Sequence, residues 1–202
     1  MSTVRTRGFG RTRWLLLTSL VVIGVLGTGA VLAMPWWQDR TGAIAGERLP
    51  DFPAIDPAAL DGNQSRVLSV LRTEYDHPGD GPKYAQGVDE PWCADFVSWV
   101  WSQAGQPLSN PNSGGWRIPG VATLQEYFES TGRFAALGSD YRPRTGDVVI
   151  YAAGSPFGQH TNIVLSADDH LLTTIGGNEQ GTVRIHRYDP ATVPGIVGFG
   201  RM

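Results

Sequence analysis

The sequence predicts an α+β fold in which helices come first and an antiparallel sheet follows. Before Gly146 the apolar residues recur with a helical period, and after it they form short runs separated by turn residues. Helices grouped ahead of strands are typical of α+β folds, whereas alternating helices and strands would indicate a parallel sheet. The length of 202 residues is that of one domain with attachments.

Three helices are predicted in the first part of the domain. The first spans residues 64–76, where apolar side chains recur every three or four positions. The second begins near Trp92 or Cys93 and runs to about Ala104, before a glycine that suits a helix C-terminus. The third and shorter helix spans residues 121–130.

Five short strands are predicted after Gly146, each rich in β-branched or aromatic residues and bounded by turn residues. They are Val148–Tyr151, Thr161–Leu165, Leu171–Ile175, Val183–Tyr188 and Ile196–Phe199. The turn residues between them favour antiparallel connections.

The N-terminus is predicted to be a membrane anchor. Residues 14–34 contain no ionisable side chain and would span ~31 Å as a helix, which matches a hydrocarbon core of ~30 Å. Residues 1–13 carry four arginines and no acid, so this basic tail should stay cytoplasmic while the rest is exported. A cleaved signal peptide is the alternative, but the apolar stretch exceeds the usual ~7–15 residues. Both interpretations place the domain outside the cytoplasm.

Residues 35–62 are interpreted as a linker between the membrane and a domain at 63–202. Four prolines interrupt regular structure in this segment. Phe52 and Ile55 are apolar, so packing of the segment on the domain remains an alternative.

Charge and cysteine content exclude several classes of protein. The chain carries a net charge of −3, and its basic N-terminal tail leaves the remainder distinctly acidic, so nucleic acid is not an expected partner. A single cysteine excludes intramolecular disulfides and cysteine-rich zinc sites. Acidic residues between Asp76 and Glu90 lack the spacing of a calcium-binding loop, so no metal or cofactor is predicted.

Cys93 is the candidate nucleophile. Pro91 cannot continue a helix backwards, which places Cys93 in the first turn. The helix dipole and the unpaired N–H groups there favour a thiolate and could stabilise an oxyanion. The alternative is a buried cysteine that packs as a small apolar residue.

A thiolate nucleophile needs a base, and His160 is the candidate among four histidines. It follows a glycine-containing loop and opens an apolar strand, a position that is rigid and can face a cleft. The other three are predicted to be surface residues: His77 in a Pro/Gly loop, His170 in a turn, and His186 among charged neighbours.

Asn178 is the candidate for orienting the imidazole, because its side-chain carbonyl could accept from the His160 ring and fix the tautomer. Glu179 is the next candidate. Asn178 also follows two glycines, and asparagine tolerates positive φ, so a purely structural turn is the alternative.

Four segments in this order resemble the CHAP family, the cysteine, histidine-dependent amidohydrolases/peptidases. The segments are Pro91–Trp99 with Gln103–Gly105, Pro143–Val149, Gly158–Val164, and Ile175–Asn178 before Val183 and Arg184. Each is weak alone, but four in order are much more specific. The resemblance covers roughly residues 64–201.

The resemblance implies a papain-like fold and cleavage of amide bonds in peptidoglycan stem peptides through an acyl-enzyme. It implies Cys93 as nucleophile and His160 as general base. Tyr84 matches a position where such enzymes often have a tyrosine that helps to hold the oxyanion. One feature departs from the family: many members have a glutamate where this chain has Gly176.

The hypothesis is therefore a membrane-anchored cysteine hydrolase, an N-acetylmuramoyl-L-alanine amidase or a peptidoglycan endopeptidase. Trp92, Trp116 and Tyr151 are candidates for lining the substrate groove, with core packing as the alternative. A non-catalytic wall-binding or assembly module is the alternative function, and only the missing glutamate at Gly176 favours it.

Overall fold

A seven-stranded antiparallel sheet forms the centre of residues 44–202, the part of the chain that the computed structural model describes. The strands are β1 (Glu47–Leu49), β2 (Phe134–Ala136), β3 (Val148–Tyr151), β4 (His160–Ala167), β5 (Leu172–Glu179), β6 (Thr182–Tyr188) and β7 (Ile196–Gly200). Their order across the sheet is β1-β6-β5-β4-β3-β7-β2. The predicted α+β class with an antiparallel sheet is confirmed.

Four helices accompany the sheet in the described residues. They are α1 (Gly62–Asp76), α2 (Gly81–Tyr84), α3 (Cys93–Gln103) and α4 (Val121–Ser130). A capping box begins α1: the Asp61 carboxylate accepts from the N–H of Gln64, and the Gln64 side chain accepts from the N–H of Asp61. No helix within this part of the chain is long and apolar enough to cross a membrane. The segments predicted as a basic tail and an anchor, residues 1–13 and 14–34, lie outside it.

The segment interpreted as a linker contributes to the sheet. Strand β1 lies within residues 35–62 and pairs with β6, and Phe52 and Ile55 pack partly buried against the core. The described part of this segment therefore forms an edge of the domain, because strand β1 pairs with β6 and the apolar side chains pack on the core. Packing of the segment on the domain is the alternative to a linker that Phe52 and Ile55 suggested in the sequence.

Helix α3 packs against the central strands β4 and β5, and apolar side chains fill the layer between them. Other side chains of the sheet form a second apolar cluster, which includes Val149, Tyr151 and Tyr188. Because β4 begins at His160 and its antiparallel neighbour β5 ends at Glu179, both residues lie at the same end of the sheet.

Candidate active site

Cys93 is the first residue of α3, as its sequence position predicts. The first hydrogen bond of the helix runs from the N–H of Phe96 to the carbonyl of Trp92, at 2.9 Å. The N–H groups of the preceding turn have no intrahelical partner, and Trp92 at the N-cap supplies no side-chain cap. The thiol, 6% exposed, therefore lies beside unpaired N–H donors and the positive end of a helix dipole.

Trp92 anchors this start of α3. Its indole stacks on Tyr84 with ring centroids 5.0 Å apart, and its ring edge lies over the backbone of Gly177 on β5. A Cβ at Gly177 would overlap both Trp92 and Phe96, so the glycine allows the helix to approach the strand closely. Trp92 is thus a largely buried side chain that packs in the core, as the core-packing alternative expects.

His160 is held at the start of β4 with 7% of its surface exposed. Phe157 stacks on its ring, with centroids 5.6 Å apart and planes inclined by 9°. Its Nε2 lies 3.6 Å from Oε1 of Glu179, and the ring also interacts with the Cys93 side chain. The imidazole is therefore placed between a thiol and a carboxylate.

Glu179 lies between two histidines on neighbouring strands. Its Oε2 lies 2.6 Å from Nε2 of His186, and its side chain is fully buried. The pairing of β5 with β6 shifts by one residue between Gly176 and Glu179, and Asn178 within this bulge has a φ of 60°. The extra residue turns the carboxylate towards His160.

The charges at the site follow from these contacts. Burial alone would lower the pKa of His160, but the neighbouring Cys93 and Glu179 side chains outweigh it and raise the pKa to about 9. Burial alone would raise the pKa of Glu179, but the neighbouring His160 and His186 rings outweigh it and hold that pKa below its ordinary value. A carboxylate and an imidazolium are the favoured forms near neutral pH.

Two predictions about the polar residues need correction. Glu179 rather than Asn178 faces the His160 ring, because the left-handed backbone at Asn178 puts the next residue there. His186 is fully buried against Glu179 and is not a surface residue. His77 and His170 are exposed, as predicted.

The Tyr84 hydroxyl is engaged elsewhere. It donates to Oε2 of Glu74 at 2.7 Å and accepts from the N–H of Gly79 at 2.9 Å. A phenol has one O–H, so none remains for an oxyanion, and the role predicted for Tyr84 does not fit this geometry.

The other two groove candidates differ in exposure. Tyr151 is fully buried and its hydroxyl pairs with that of Tyr188, so it does not line an open groove. Trp116 is half-buried and lines a surface depression of about 400 Å³. Its neighbour Arg117 donates to Oδ1 of Asp95 on α3 at 2.7 Å, which ties this loop to the helix that begins at Cys93.

Comparison with known families decides the classification. Residues 84–178 match the family model of the CHAP domain. The chain contains a CHAP domain. Among curated proteins and among solved structures, none matches the chain.

The matched part of the CHAP domain includes Cys93 and His160 and ends one residue before Glu179. His186 lies further outside it. Within residues 44–202 no cluster of three or more histidine, cysteine or acidic side chains is placed to hold a metal ion. The burial of His186 escaped sequence reasoning because neighbouring arginines dominate its strand. The residues that share its face at a period of two are Arg184 and Tyr188, so the alternation along β6 gives no signal of burial.

Proposed function

We propose that this CHAP domain hydrolyses amide or peptide bonds of peptidoglycan stem peptides through Cys93 and His160. The observation that carries the proposal is the placement of the His160 ring between the Cys93 thiol and the buried Glu179 carboxylate. The family match supports amidase or peptidase activity in general. The helix that begins at Cys93 and packs on the strand of His160 supports a papain-like arrangement.

The residues define an order of proton transfers. His160 holds the proton of Cys93 as an imidazolium, and the Cys93 thiolate attacks the carbonyl carbon of the scissile amide. The N–H of Cys93 donates to the oxyanion. The His160 imidazolium then protonates the leaving amine, the C–N bond breaks, and a thioester remains on Cys93.

Deacylation reverses these roles. His160 takes a proton from water, the hydroxide attacks the thioester carbonyl, and the thiolate leaves and regains the proton. Throughout, Glu179 faces the other nitrogen of the ring and stabilises the imidazolium that forms in each half-reaction.

The non-catalytic alternative loses its main support. Position 176 is a glycine where many family members have a glutamate, but Glu179 brings a carboxylate to His160. We therefore retain a single candidate function.

The test is digestion of purified peptidoglycan by the full chain in detergent, compared with Cys93→Ala, with products identified by mass spectrometry. We expect products from the wild type and a loss of at least about 10³-fold in the variant. The melting temperatures should nearly coincide, since the change removes one small side-chain atom. Equal digestion by both proteins, or none by a folded wild type, would contradict the proposal. The masses of the products distinguish amidase from endopeptidase.

We also propose that residues 14–34 anchor the domain outside the cytoplasmic membrane. The apolar length and the preceding arginines support this. The membrane-associated protein should have an intact mass that includes Met1, or at most lacks that one residue. The mass of a chain that begins at Met34 or later would show a cleaved signal peptide.

A further inference from the structure

We propose that His186 is a positioning residue that holds the Glu179 carboxylate against His160, in a space that Gly176 leaves open. The inference rests on the proposed function and adds to it residues that the catalytic scheme does not use. His186 lies on β6 and is separated from the strand of His160 by β5, so three neighbouring strands hold the array.

The two carboxylate oxygens have different partners at different distances. Oε2 lies 2.6 Å from His186, a full hydrogen-bonding distance, whereas Oε1 lies 3.6 Å from His160. A carboxylate rotates freely about its last bond unless one oxygen is fixed. Fixing Oε2 at His186 therefore directs Oε1 towards His160 while leaving that contact loose enough to tighten during the reaction.

The tautomer of His186 follows from its surroundings. The ring is fully buried, and Nε2 is the nitrogen that lies 2.6 Å from Oε2 of Glu179. A buried N–H without a partner costs more than an unpaired ring lone pair, so the proton belongs on Nε2, where it is donated to Glu179. Donation from Nε2 of His186 holds Oε2 and leaves Oε1 facing His160.

Gly176 provides the space for the carboxylate. A Cβ built at this position would overlap Oε1 of Glu179 and Oδ1 of Asn162. The backbone of Gly176 is not left-handed, so the lack of space, and not its φ, excludes a side chain. Any other residue here would displace the oxygen that faces His160.

The surroundings of Glu179 contain few other ionisable groups. Tyr151 and Tyr188 lie nearby with their hydroxyls paired to each other, and Cys93 interacts with the His160 ring. Phe157 covers both imidazoles, stacked on His160 and edge-on to His186 with centroids 5.4 Å apart.

Arg184, a further charged residue of β6, lies two residues before His186 on that strand. The rings of His160 and His186 both lie against the Glu179 carboxylate. A change at His186 should therefore alter Glu179 directly.

The experiment uses the full chain and compares His186→Gln, His186→Phe and the exposed control His170→Phe. Glutamine can place an N–H donor near the position of Nε2, whereas phenylalanine keeps the ring volume without a donor. We expect His186→Phe to lose about 100-fold in kcat on soluble peptidoglycan fragments with KM little changed. The acid limb of its pH profile should move to higher pH, because Glu179 loses a donor. His186→Gln should retain most of the activity, and His170→Phe all of it.

Nitrogen-15 spectra of the imidazoles provide a readout that does not depend on turnover. We expect the His160 resonances to shift in His186→Phe and to stay near their wild-type values in His186→Gln. If His186→Phe fails to fold, His186→Asn, whose amide is too short to reach Oε2, replaces it.

The outcomes separate the two proposals. Turnover and a pH profile unchanged in His186→Phe, with unchanged His160 resonances, would overturn the positioning role and leave the hydrolase intact. A wild type without turnover whose His160 resonances respond to His186→Phe but not to His186→Gln would overturn the hydrolase and support the contact network. Equal losses in His186→Gln and His186→Phe would also contradict the positioning role, since the donor would then not matter.

Discussion

Two buried glutamates in this domain each have two polar side chains as neighbours, yet their contacts differ. Glu74 receives Nζ of Lys83 at 2.5 Å and the hydroxyl of Tyr84 at 2.7 Å, both on Oε2. Glu179 receives one short contact from His186 and one long contact, 3.6 Å, from His160. The first arrangement is closed and joins α1 to α2. The second leaves a long contact at His160, the side chain that gains and loses a proton in the proposed reaction.

Replacing each glutamate in turn should separate activity from stability. Glu179→Gln is expected to lower kcat by about 10³-fold, because the amide can no longer stabilise the His160 imidazolium. Glu74→Gln should leave kcat unchanged and lower the free energy of unfolding by about 1–3 kcal/mol, because a buried charged hydrogen bond is weakened. Steady-state kinetics and urea denaturation of both variants measure this, and similar losses of kcat in both would remove the distinction.

The two sites should also differ in how stability depends on pH. The pKa of His160 is raised from 6.5 to about 9 in the folded protein, so its stabilising effect is complete below about pH 6.5. It is lost as the pH rises towards 9, and the free energy of unfolding should fall by on the order of 1–3 kcal/mol over this interval.

Urea titrations at several pH values between 6 and 9.5 measure this slope. Glu74→Gln should keep it and His160→Gln should abolish it. A slope that survives in His160→Gln would assign the effect to another group.

Tyr84→Phe examines the closed arrangement and the oxyanion hypothesis together. Loss of its O–H leaves Glu74 with one donor fewer, and we expect a destabilisation of about 1–2 kcal/mol without loss of kcat. Thermal unfolding and peptidoglycan digestion give the two numbers. A large fall in kcat at unchanged stability would restore Tyr84 to the catalytic site.

Asn178→Gly should have the smallest effect. Glycine adopts the observed φ of 60° readily, so the bulge that directs Glu179 should persist, with a change in stability within about 1 kcal/mol. Activity should be retained in the same digestion assay. A loss of about 100-fold would mean that the Asn178 side chain orients His160 after all.

The positions of Cys93 and His160 were predictable because local rules govern both. Pro91 marks the start of the helix, and the loop before His160 marks the start of its strand. The third residue was not predictable with the same certainty, because the one-residue bulge between Gly176 and Glu179 decides which side chain faces the ring. A period-two pattern does not reveal a bulge.

His186 shows a longer chain of causes. It was predicted to be a surface residue because charged residues are its neighbours on β6. In the structure β1 pairs there, with Arg48 opposite His186, and β6 becomes an interior strand. Three residues of edge strand with mixed polarity carry no detectable signal of their own, and the burial of His186 could not be inferred without them.

The adjacent pair Gly176 and Gly177 acts as a two-sided spacer. Successive strand residues point to opposite faces, so one glycine admits the Glu179 carboxylate and the other admits the rings at the start of α3. A methyl group on Gly176 would push the base's partner away, and one on Gly177 would lift the nucleophile's helix from the sheet. The absence of side chains at Gly176 and Gly177 thus sets the separation between the Cys93 sulfur and the His160 imidazole. When both positions are randomised and the variants are selected for peptidoglycan hydrolysis, only glycine should be recovered at each.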